Sequence, residues 1–154
     1  VALALAGVDD DDFEDIDPAG VVAAMTHPVV PDLLLWEGGW LAQFVEERGA
    51  ILPADEREVI ASWVDDRRSV VDVVAHEGEE SRLRDRRSGD EVVVAGTVGR
   101  VGATLVARLD PGPEGELRVI GPVVPIDGAV AAAVLHELDE GDPEEIAALL
   151  GELA

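Results

Sequence analysis

The sequence predicts an α+β fold: a small five-stranded antiparallel, barrel-like sheet over about residues 69–125, with helices before and after it. Three observations carry this. The stretch holds five short Val-rich or alternating runs, SVVDVVAHE, SRLRD, EVVVAGTV, ATLVARLD and LRVIGPVVP, and such runs fit a pleated, half-buried surface. The residues on either side repeat apolar side chains at helical spacing. The connections between the runs are short, which favours antiparallel neighbours. Five short strands of this kind curl, because a flat sheet would leave two long unpaired edges.

The chain divides into an acidic helical region (1–68), the β module (69–125) and C-terminal helices (126–154), expected to form one compact unit with a mobile N-terminal segment. VALALAGV reads as the end of a helix closed by Gly7, and the opening on Val1 suggests a processed start or a module cut from a longer chain. Asp9 to Asp17 (DDDDFEDID) reads as a solvated connector, since it lacks the central Gly of a calcium loop. Asp17 caps and Pro18 opens a helix through Met25, and Pro28 and Pro31 end it.

The next helix is expected from Asp32 to Arg48, with Leu33, Trp36, Trp40 and Phe44 in one stripe. Gly38 and Gly39 cost it about 1 kcal/mol each relative to Ala, unless close packing or a kink requires them. Gly49 closes it. Pro53-Ala54-Asp55-Glu56 restarts helix with Val59, Ile60, Trp63 and Val64 as the buried stripe and Arg67-Arg68 at its C-terminus. Trp36, Trp40 and Trp63 are expected to be mostly buried where this helix pair meets the sheet.

Within the sheet, Val71, Val73 and Ala75 alternate with Val70, Asp72, Val74 and His76. Arg82, Arg84 and Arg86 alternate with Leu83 and Asp85, the signature of one solvated face. Ser88-Gly89-Asp90 turns the chain. Val92-Val93-Val94 has no polar break, which suggests a strand covered on both faces. Gly96, Gly99 and Gly102 suggest a turn with a bulge. Ala103, Leu105, Ala107 and Leu109 form one face of the fourth strand, Thr104, Val106 and Arg108 the other, and Asp110-Pro111-Gly112-Pro113 is expected to stop pairing. A helix follows over Asp127–Glu140. Asp142-Pro143-Glu144-Glu145 then starts a last one carrying Ile146, Leu149, Leu150 and Leu153.

Composition excludes several chemistries. The chain has 154 residues, no Cys, a 47% apolar fraction and a net charge of −23. A packed core is therefore available, while disulfides, thiolate zinc sites, iron–sulfur clusters and a cysteine nucleophile are excluded within it. The apolar opening has no basic n-region and is too short to span a bilayer, so a cytoplasmic setting is expected. All eleven cations are Arg. Ser69 to Pro125 is nearly balanced, at −3, and the remainder carries −20, which opposes binding to nucleic acid or anionic membranes. His27, His76 and His136 are isolated, and no HxxxH pair, GxSxG elbow or Gly-rich phosphate loop occurs. No catalytic, cofactor-binding or metal-ligating residue is assigned.

One cluster stands out. Arg82, Arg84, Arg86 and Arg87 gather four guanidinium groups within six residues. They read either as an edge strand guarded by charge or as a docking patch for an acidic surface, the protein's own acidic segments included. Single-stranded nucleic acid is a third reading, without an interleaved aromatic to stack bases.

The segment LLLWEGGWLAQFVEERGAILPADEREVIASWVDDRRSVVDVV, followed by LRDRRSGDEVVV and LVARL, resembles the C-terminal region of uncharacterised, mainly actinobacterial proteins that carry a SEC-C zinc motif. The resemblance covers roughly Val29 to Ile126. The zinc motif itself is absent, so no metal is carried over. It implies a module of a larger protein and brings no known activity. The expected function is a non-catalytic interaction or scaffold module of a larger intracellular bacterial protein, docking a protein partner or other domains of its parent chain, with no cofactor and no membrane. A nucleic-acid-associated module using the Arg82–Arg87 strand is the alternative, and an enzyme domain of unlisted type comes third.

Overall fold

The structure, a computed structural model, describes residues 26, 29–64, 66–112, 115–141, 145–146 and 148–150. In order come α1 (Val29–Leu35), α2 (Trp40–Arg48), a 3-10 turn (Gly49–Ile51), α3 (Ala54–Trp63), β1 (Arg68–Glu77), β2 (Glu80–Asp85), β3 (Glu91–Ala95), β4 (Thr104–Pro111), β5 (Leu117–Ile126) and α4 (Ala131–Glu140). Residues 145–146 and 148–150 are also helical. The acidic run Asp9–Asp17, the helix read over Pro18–Met25, His27 and the capping Asp142 lie outside the described residues.

The five strands close into a barrel in the order β1-β2-β3-β5-β4. β1 pairs antiparallel with both β2 and β4, β2 with β3, and β4 with β5. The expectation of a wholly antiparallel sheet is corrected at one seam: β3 runs parallel to β5, through Val94↔Leu117 and Ala95↔Arg118. The loop after β3 does not fold back as a hairpin. It carries the chain across the end of the barrel, so β4 lands beside β1. This is the strand order of the OB-type Greek-key barrel, an architecture that hosts unrelated functions.

The crossing loop explains the glycine triplet. Gly96, Gly99 and Gly102 all have positive φ, a region L side chains rarely enter. At Gly99 a Cβ would also lie 2.8 Å from Leu105 Cδ1. The loop is pinned from below by Ser81, whose hydroxyl donates to the Gly96 carbonyl (2.8 Å) and accepts from the Val98 amide (2.9 Å).

Side-chain alternation sorts the strands into two cores. Val71, Val73, Leu83, Val94, Leu105 and Ala107 point into the barrel. Val70, Val106 and Val124 point outward and meet Val29 and Leu33 of α1, Ala131 and Val134 of α4, and Ile146 and Leu150. Each Val, Leu or Ile among them contributes about 1.5–3 kcal/mol when fully buried. The strand covered on both faces is β4, whose residues 104–108 are all buried. The expectation for β3 is corrected: Val93 is 49% exposed, and no helix among the described residues covers that side of the barrel. Pairing also continues further than Asp110-Pro111 suggested, to Asp110↔Arg118 and Pro111↔Leu117. Pro111 sits at the end of the ladder, where its missing donor does little harm.

Two helical expectations are also corrected. Pro31 lies in the first turn of α1, where proline is tolerated, so the helix begins at Val29. The long helix over Asp32–Arg48 is two helices. The Gly38 amide donates to the Leu33 carbonyl (2.7 Å), closing α1, and Gly39 at φ +74° precedes α2. The glycine pair is a break in the chain's direction.

That break turns α2 and α3 away from the barrel. Neither helix contains a buried residue. Trp36 and Trp63 are half-buried, and the Trp36 indole donates to the Trp63 carbonyl (2.7 Å). Trp40 is 57% exposed and Phe44 42%, contrary to the burial expected of that stripe. The break at Gly38-Gly39 separates Trp40 and Phe44 from Leu33, which alone of that stripe is buried.

Candidate functional site

The four nominated arginines do not form one free patch. β2 is paired on both sides, so Arg82 and Arg84 do not guard an edge. They project outward, Arg82 against Glu77 and Arg84 against Glu91 at 2.5 Å. Arg86 and Arg87 lie in the turn after β2 and fold back the other way. Arg86 holds Asp72 through two bonds, Nε and Nη2, at 2.9 and 2.8 Å. Arg87 pairs with Asp139 of α4 at 2.5 Å and donates to the Arg68 carbonyl at 3.0 Å. Each guanidinium therefore already has a carboxylate of its own chain.

Asp72 is the centre of a small polar cluster at one end of the barrel. It accepts from Arg86 and from Thr104 Oγ1 (2.7 Å). The hydrogen bond from Arg86 holds its carboxyl below the usual carboxylate range, with Thr104 assisting against partial burial.

A second charged cluster is buried, and sequence reasoning missed it. The sequence puts Arg68 at a helix C-terminus and Arg108 on the strand face of Thr104 and Val106. Instead α3 stops at Trp63, Arg68 opens β1, and both side chains lie under α1. Arg68 bonds Asp32, and its Nε donates to Glu37 (3.1 Å). Arg108 donates to Glu37 (2.8 Å) and to the Asp66 carbonyl, with Asp32 at 3.4 Å. Its guanidinium also lies over the Trp36 ring, 4.3 Å from the centroid. Burial raises the Asp32 carboxyl above its ordinary range, against the opposing pull of Arg68 and Arg108, and burial likewise lowers Arg68. A pocket of about 200 Å³ opens beside the cluster, lined in part by Trp36, Glu37, Arg67 and Arg108. Buried Asp32, half-buried Glu37 and the two buried arginines pair with one another, while Asp32 Oδ1, Glu37 Oε2, Arg68 Nη1 and Arg108 Nε lie buried without a hydrogen-bond partner. The arrangement ties α1 to β1 and β4. The available signal was the position of Arg108 on a strand whose neighbours on that face are Thr104 and Val106.

His76 faces Ser81 across the β1–β2 ladder, Nδ1 to Oγ 3.0 Å. The same hydroxyl donates to the Gly96 carbonyl and accepts from the Val98 amide, so His76 meets a serine that is already engaged. His136 is exposed on α4. Among the described residues no group of His, Asp and Glu could hold a metal ion, and no helix is long and apolar enough to cross a membrane.

What the described surface does offer is apolar. Trp40 and Phe44, one helical turn apart, stand out from α2. Ile51 in the connecting turn is 76% exposed, and Val59 on α3 is exposed too. On α3 a recess of about 350 Å³ is lined by Asp55, Glu56, Val59, Ile60 and Trp63. Leu35, Val93, Val101 and Val130 are exposed elsewhere; α2, the turn and α3 hold the other four, and exposed apolar side chains that form one patch mark interaction sites. Compared with protein-family models, with curated proteins and with solved structures, the chain finds no match.

Proposed function

We propose that this chain is a non-catalytic interaction module, part of a larger intracellular bacterial protein, in which the barrel is the scaffold and the α2–α3 pair presents the binding surface. The observation that carries the reading is the absence of any buried residue on α2 and α3 together with exposed Trp40, Phe44, Ile51 and Val59. Two helices with no buried residue gain little from folding against their own domain, and their apolar faces gain most from a partner. The barrel supports the pair rigidly: Trp36 ties α3 to the end of α1, and the buried arginines fasten α1 to β1 and β4.

The nucleic-acid alternative finds less support. Arg82, Arg84, Arg86 and Arg87 are each engaged by a carboxylate, and the chain carries −23.

A neutral apolar dye tests the reading, because an anionic one would be repelled. Nile red should brighten with the native protein and lose that signal in the Trp40→Ser/Phe44→Ser double variant. An unchanged dye signal in the variant, or none with the parent, rules out the helix pair as the binding surface. A single-stranded oligonucleotide should not bind even at low salt. Retention that disappears when the four arginines become Gln would promote the nucleic-acid reading.

A further inference from the structure

We infer that the partner seated on α3 is a cationic amphipathic helix, an inference that rests on the interaction-module reading above. The recess supplies both halves of the argument. Val59, Ile60 and Trp63 offer an apolar surface, and Asp55 and Glu56 line the same recess. The residues from Asp55 to Trp63 span about 12 Å of helix, at 1.5 Å per residue. That is the reach of two or three apolar side chains at i, i+3/i+4 and i+7 on a docked helix.

Charge decides which helix fits. Asp55 and Glu56 line the recess and, among the described residues, neither is in an ion pair, nor is Arg57 on the same helix; Arg82, Arg84, Arg86, Arg87 and Arg118 on the barrel are paired within the chain. The recess thus carries two carboxylates without an ion pair, on a chain whose net charge is −23. A Lys- or Arg-bearing helix removes that repulsion and gains on encounter from the field of a chain at −23. A second copy of the chain would bring like-charged rims together, which opposes self-association through this face.

The test uses the full chain and synthetic Leu/Lys amphipathic peptide, with two controls: the same pattern with Glu for Lys, and a scrambled Leu/Lys peptide of equal charge with no apolar stripe. Binding is read by intrinsic Trp fluorescence and calorimetry. The Leu/Lys peptide should bind and turn helical, and the controls should not. The Asp55→Asn/Glu56→Gln variant should weaken it by at least about tenfold, and Val59→Ser should do likewise. Equal binding of the scrambled peptide reduces the effect to bulk charge and overturns the inference. Equal binding of the Leu/Glu peptide leaves an apolar docking surface but overturns the cationic partner. Concentration-dependent dimerisation lost in Val59→Ser would overturn it in favour of a second copy. If no peptide binds while Nile red still reports the surface, this inference fails and the broader reading stands. If neither binds, both fail.

Discussion

Two guanidinium groups and two carboxylates under α1 are stable only as a set. Taking each charge out of water costs several kcal/mol, which the mutual attraction and hydrogen bonds offset. Removing one member leaves the others uncompensated. Asp32→Ala or Arg108→Ala should therefore destabilise the fold by about 3–5 kcal/mol in denaturant titrations, far more than the exposed Arg84→Ala. Asp72 makes a pH-dependent contribution of opposite origin. Its native pKa is lowered, so its stabilisation is present above the unfolded value of about 3.9 and is lost as pH falls through the lower native value. Asp72→Asn should cost about 1 kcal/mol at pH 7, and the gap from the parent should close only below pH 4. A gap that is flat across that window would show that the Arg86 pair does not matter. These residues also mark where sequence reading stopped. The alternation on β4 placed Arg108 opposite the barrel interior correctly, yet nothing local to it reveals that α1 covers that face. Burial by a distant element is not encoded in period two.

At the scale of elements, the clearest contrast lies between two positions on what looked like one helical stripe. Leu33 is fully buried and Trp40 is not. Leu33→Ala should cost about 2–5 kcal/mol, and Trp40→Ala only about 0.5 kcal/mol, a difference visible in the two melting temperatures. Gly121 tests the fit of α1 to the barrel from the other side. It sits in β5 at φ +69°, near a register shift, and a Cβ there would run into the Asp32 carboxylate. Gly121→Ala should destabilise by at least about 2 kcal/mol, combining the left-handed backbone with a clash in a packed interior. The strands were legible in the sequence because Val71, Val73, Leu83 and Leu105 alternate with polar or outward residues. The helix break was half legible: Gly38-Gly39 signalled a cost, and only the tertiary structure shows that the cost is a change of direction. The apolar face of α2 and α3 was assigned to the core because periodicity identifies a face and not what covers it.

For the whole molecule, charge and closure set the behaviour. At −23 the folded chain repels itself, and salt should relieve this as the Debye length falls to about 10 Å near 0.1 M. The melting temperature should rise between very low and half-molar salt, and a flat profile would mean that the acids are too dispersed to matter. Closure was legible as a barrel because five short strands cannot lie flat, but its seam was not. Short connections implied neighbours in order, while the crossing loop at Gly96–Gly102 moves β4 past β3 to β1.

The seam made by β3 and β5 also governs how the barrel breathes. Pairing there is confined to Val94 and Ala95 against Leu117 and Arg118, the shortest ladder in a ring whose other joints run much further. A closed ring must open somewhere before its strands can separate, and the shortest ladder is the cheapest place to do it. Amide protons bonded across that joint should exchange with deuterium ahead of those between β1 and β4. Each opening would momentarily uncover two raw strand edges on a protein that otherwise shows none in this sheet, so any edge-to-edge association should follow the rate of seam opening rather than that of global unfolding.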